Sequence, residues 1–131
     1  MNRLAQGLVC LAASVPPGAF AAADFDGSRP LICAPSEALE VRPGDELIKE
    51  RPADIGAPSF LRVDIANKTI SGPQCVTPIK YMEKNDRQIL LMGTELDFGW
   101  TLALDRQVGE MTLTFVDRSG AVVLTGRCTP A

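Results

Sequence analysis

The sequence predicts an all-β, mainly antiparallel domain: a small meander barrel or sandwich of about seven or eight strands, with room for one short helix. Three observations carry this. Residues 96–129 hold three successive segments in which large apolar residues recur at every second position. The connections Asp105-Arg106-Gln107-Val108-Gly109 and Asp117-Arg118-Ser119-Gly120 have hairpin chemistry. Short apolar segments bounded by Gly, Pro, Asn and Asp recur at close spacing through the rest of the chain.

The N-terminal segment stands outside this pattern. Arg3 supplies a positive charge, Leu4 to Val15 is a short apolar run, Pro16-Pro17-Gly18 breaks it, and Ala19 to Ala23 offers small residues. This is the grammar of a secretory signal peptide, with cleavage expected after Ala23. The run is too short and interrupted to predict a membrane span. Cys10 follows Gly7-Leu8-Val9, which is not a lipid-anchor pattern. Residues 1–23 are therefore read as signal peptide and residues 24–131 as one β-domain.

Removing 23 of 131 residues leaves 108, the size of one domain with one core. Arg3 is the leader's only charge, so 12 basic residues remain against 16 acidic ones. That mildly acidic balance argues against nucleic acid and anionic membrane surfaces as partners.

Taken in order, Asp24 to Pro30 reads as a polar arm and Leu31 to Ala34 as a first strand. Pro35 to Glu40 fits either a helical turn capped by Ser36 or a strand with Leu39 and Val41 inward. Arg42 to Asp45 is a turn, and the charged, proline-bearing segment from Glu46 to Pro58 reads as a surface loop. Leu61, Val63 and Ile65 alternate with Arg62 and Asp64, and Ala66-Asn67-Lys68 turns the chain into Thr69-Ile70. Cys75 to Met82 reads as a strand interrupted by Pro78, which implies an edge or a bulge. Gln88 to Gly93 is apolar on both faces and reads as a central strand. The meander follows, with Phe98, Trp100, Leu102 and Leu104 on one face and Met111, Leu113 and Phe115 continuing it.

Export places the thiols where disulfides form. Three cysteines follow the leader, so one is left over. If the first and last strands meet, Cys33 and Cys128 become neighbours. Cys75 is then free, or an alternative partner for either, and sequence leaves the three pairings open. Three Cys spread along the chain without any His lack metal-ligand spacing, and no metal or cofactor is expected.

The absence of histidine removes the usual nucleophile–base pairs. Nucleotide and hydrolase fingerprints are also missing. Asp97, Asp105, Glu110 and Asp117 remain as candidates for a carboxylate pair, though their turn and strand-end positions have structural explanations. Trp100, the only tryptophan, and Tyr81, beside Lys80 and Lys84, are the candidate ligand or partner contacts. With no catalytic set, the expectation is a non-catalytic binding or interaction module. A protein partner is favoured over a small ligand, because the large inward aromatics suggest a filled interior. The alternatives are a structural or stress-related envelope protein and, behind it, a carboxylate-based glycan hydrolase.

The runs D-G-S-R-P-L-I-C-A, F-L-R-V-D, G-W-T-L-A-L-D, G-E-M-T-L-T and G-R-C-T-P occur in that order between Asp26 and Pro130. In these the chain resembles a group of small exported proteobacterial proteins of unassigned function, with L-x-C-A near the start and G-x-C-T-P at the end. The resemblance implies a periplasmic location and names no active site. Members of that group carry a further Cys soon after L-x-C-A, where this chain has Leu39, Glu40 and Val41; Cys75 is then a substitute partner.

Overall fold

A computed structural model of the protein describes residues 25–131. The segment read as a leader, the cleavage expected after Ala23, Cys10 and Asp24 lie outside the described residues. Those residues form ten antiparallel strands: β1 (Leu31–Val41), β2 (Ile48–Glu50), β3 (Leu61–Asp64), β4 (Thr69–Ser71), β5 (Val76–Pro78), β6 (Tyr81–Lys84), β7 (Gln88–Glu95), β8 (Phe98–Asp105), β9 (Glu110–Asp117) and β10 (Gly120–Pro130). They lie in the order β5-β4-β3-β1-β10-β9-β8-β7-β6, with β2 added to the far half of β1. The expected meander is β8-β9-β10, paired in register from Gly99↔Val116 to Arg127↔Glu110.

The sheet curls into a half-barrel, and one extended segment serves both of its ends. β5 pairs with β4 and β6 with β7. Between them the Ile79 N–H donates to the Lys68 carbonyl at 2.8 Å, and the Lys80 N–H donates to Met92 at 2.9 Å. Pro78 lies where the ladder changes partner, consistent with its missing N–H. The two edges are thereby spliced through covalent chain, which limits edge-to-edge association.

Three segments differ from the sequence reading. The Glu46–Pro58 loop contains β2 and a 3-10 turn at Pro52–Ile55; three residues on the edge of β1 are too few to show alternation. Pro35 to Glu40 is strand, but Leu39 and Val41 do not point inward. The register shifts between Pro35 and Glu37, so the inner-face series Leu31, Cys33 resumes at Ala38 and Glu40, a change of phase that a bulge imposes. β7 is paired on both sides, by β6 and β8, but only one of its apolar faces is covered: Ile89 and Leu91 are buried while Met92 is exposed.

The core fills the concave side. Val63, Ile89, Leu91, Leu102, Leu104 and Leu124 are almost fully buried. Phe25, in the segment read as a polar arm, is buried as well and plugs one end. It is tethered there by Arg106 Nε, which donates to the Phe25 carbonyl at 3.1 Å. Lys84 Nζ likewise donates to the Asp26 carbonyl at 2.9 Å. Near that end Cys33 and Cys128, directly opposed in the β1–β10 ladder, form a disulfide with Cα atoms 3.9 Å apart. Cys75 is free and exposed.

Candidate ligand cavity

The end opposite Phe25 is not filled. There the inner-face row of β7 to β10 runs Gly93, Trp100, Phe115, Val122, by direct cross-strand pairing. Gly93 makes room for the indole: a Cβ on it would lie 2.5 Å from Trp100 Cζ2. Trp100 thereby lies flat in the wall, only 4 % exposed. Phe98 and Phe115 stand beside it edge to face, with centroids 5.5 Å apart at 77°. Both are only partly buried, because no side chain covers them from the mouth.

These rings, with Leu61, Ile70 and Leu113, bound a cavity of about 410 Å³. Two loops wall it: Gly56 and Pro58 after the 3-10 turn, and Gly72 to Cys75 between β4 and β5. The 3-10 turn is held by Arg51, whose guanidinium pairs with Asp54 at 3.0 Å, and Ile55 and Ala57 pack on the core. Two buried polar atoms of the lining residues, Trp100 Nε1 and Thr77 Oγ1, have no hydrogen-bond partner. A buried polar atom without a partner is costly, and both atoms lie beneath the cavity surface rather than open to it. Glu95 brings the only carboxylate, and no Lys or Arg lines the cavity.

Across the Phe98–Phe115 pair lies a second recess of about 380 Å³, bordered by Glu40, Arg42, Asp117 and Val122. The bulge in β1 is what aims Glu40 to this side, and Arg42 Nη2 pairs with its carboxylate at 2.5 Å. Glu50, on β2, approaches the same carboxyl group. Loss of solvent, a hydrogen bond to Glu40 and the charges of Glu40 and Asp54 raise the Glu50 pKa, against the attraction of Arg42. Glu50 Oε2 is buried without a hydrogen-bond partner. A wider recess of about 750 Å³ crosses the outward residues Ala34, Ser36, Ala103, Thr112 and Thr125 beside the Arg127–Glu110 ion pair. It has neither aromatic rings nor unpartnered buried polar atoms, and the aromatic cavity is the better-built site.

The two contact residues expected from sequence are not brought together. Trp100 lies in the cavity wall. Tyr81 opposes Met92 on the outer face, where its hydroxyl donates to Glu83 at 3.2 Å. The four candidate acids have local roles or open positions. Asp105 accepts from the Gln107 N–H at 2.8 Å, and Asp117 from the N–H and hydroxyl of Ser119 at 2.8 Å each. The Ser119 bonds hold the Asp117 pKa below the usual carboxylate range. Glu110 pairs with Arg127, and Asp97 is exposed in the β7–β8 turn. Sequence reasoning missed Glu40, Glu50 and Glu95. For Glu95 a signal existed: it continues the inward series Ile89, Leu91, Gly93.

Comparison with protein-family models, curated proteins and solved structures returns no match.

Proposed function

We propose that residues 24–131 form an exported, non-catalytic binding module whose cavity at the open end takes a small, largely apolar ligand. The observation that carries this reading is the half-barrel's asymmetry. One end is plugged by Phe25, while the other presents three aromatic rings around open space with two unpartnered polar atoms in its walls. Small barrels are either filled by side chains or hold one ligand, and this interior does each at a different end. A periplasmic location is supported by the Cys33–Cys128 bridge, a bond of oxidising compartments. Among the described residues no helix is long and apolar enough to cross a membrane.

A protein partner is the second reading. Phe60, Val76 and Leu96, chain neighbours of lining residues, are each 60 % or more exposed. A partner inserting one side chain would use the same cavity. The small-ligand reading is preferred because the walls are concave and mostly apolar.

The test uses the protein secreted with its own leader, and a variant that fills the mouth. A Cβ on Gly72 would meet only Leu61 Cδ2 at 3.8 Å and Pro58 Cγ at 3.9 Å, so Gly72→Leu is accommodated and occupies the cavity. Native mass spectrometry should show a discrete adduct on the wild type that Gly72→Leu lacks. Trp100, the sole tryptophan, should shift its emission when an apolar alcohol is added to the wild type only. A bare wild-type mass with unchanged Trp100 emission sinks the reading.

A further inference from the structure

We propose that the cavity's ligand is an organic monocation, an ammonium group carried on an apolar body. This rests on the binding reading above and names its ligand class. The lining holds one carboxylate and no cationic side chain. Glu95 is half-buried, and no hydrogen bond or ion pair reaches it among the described residues. Lys80 Nζ bonds the hydroxyl of Thr94, which alternates to the other face of β7 from Glu95, and Arg42 pairs with Glu40; neither lines the cavity.

Glu95 also sits beside the aromatic wall. It is directly paired with Phe98 across the two-residue turn, and Phe98 contacts Phe115 edge to face. Aromatic faces attract cations, and the attraction grows as water is excluded. An anion entering this space would meet Glu95 unscreened. A neutral ligand would strip water from that carboxylate and return nothing. An ammonium both pairs the carboxylate and lies against the rings, while its apolar body covers Leu61, Ile70 and Leu113.

The experiment titrates the full domain with three probes that share one body: 4-phenylbutylammonium, 4-phenylbutanol and 4-phenylbutyrate, read by Trp100 emission and by calorimetry. The alcohol should bind with a dissociation constant on the order of 1 mM, as expected for so small a ligand. The ammonium should bind about tenfold tighter and the carboxylate about tenfold weaker. In Glu95→Gln the three affinities should converge, the ammonium losing affinity and the carboxylate gaining it. Higher ionic strength should narrow the wild-type spread. Equal binding of all three probes by the wild type, or a cation preference that survives Glu95→Gln, overturns this inference and leaves the cavity reading standing. No binding of any probe overturns both.

Discussion

At the residue scale, the open end carries backbone strain at one turn. Leu96, at the tip of the β7–β8 hairpin, has φ 48° and is 92 % exposed. A branched side chain in the left-handed region crowds its own carbonyl, and exposure gives no packing to offset that cost. Leu96→Gly should therefore raise the urea midpoint, by roughly 0.5–1 kcal/mol in stability, because glycine is at ease at positive φ. If stability falls instead, the Leu96 side chain makes a contact that its exposure conceals. Glu95, the residue before Leu96, lines the cavity, so this hairpin borders the open end. Sequence reveals only part of this. The inward phase of Glu95 is readable from Ile89 onward, but a positive φ at leucine has no compositional mark.

At the element scale, the β1 bulge decides what the cavity end contains. Without it Leu39 and Val41 would face inward, as simple alternation predicts; with it Ala38 and Glu40 do. Pro35, which cannot donate to a ladder, is the one local mark of the bulge, and the close approach of the strands there also depends on Gly126. A Cβ on Gly126 would run into the Ala34 backbone. The consequence is the Glu40–Glu50 pair, and it has a pH signature. The Glu50 pKa is raised in the folded protein, so the native state holds the proton more tightly than the unfolded chain. Stability from this group is fully present below the unfolded carboxylate pKa and is lost as pH rises through the folded value. Asp26, Asp54, Asp64 and Asp117 act in the opposite sense: their lowered pKa values add stability above the unfolded pKa that is lost on acidification. Glu50→Gln should therefore stabilise the protein at pH 7 and make no difference near pH 3. The amide can donate to Glu40 without adding charge. Equal stabilisation at both pH values would show that the gain is not electrostatic.

At the scale of the whole molecule, the local meander was legible and the closure was not. Strands β7 to β10 pair with sequence neighbours through short turns, so alternation and turn chemistry suffice to place them. The β1–β10 ladder joins segments about 90 residues apart, and no local pattern encodes it. Only the cysteines hinted at it, with two other pairings open. The same distance governs folding, because loop-closure entropy must be met before the β1–β10 contacts are gained. The Cys33–Cys128 bridge, with 95 residues between its ends, removes most of that cost from the unfolded chain, by about 4–5 kcal/mol in the chain-entropy model. The double variant Cys33→Ser/Cys128→Ser should be less stable by roughly 2–5 kcal/mol. Refolding from urea, followed by Trp100 emission, should be about tenfold slower than with the bridge intact. Mildly reduced wild type in sodium sulfate supplies the same comparison where the double variant fails to fold. Equal refolding rates would mean that β1 docks on β10 only after the rate-limiting step. The bridge would then act by slowing unfolding, and the meander β8-β9-β10 would be the folding nucleus by itself.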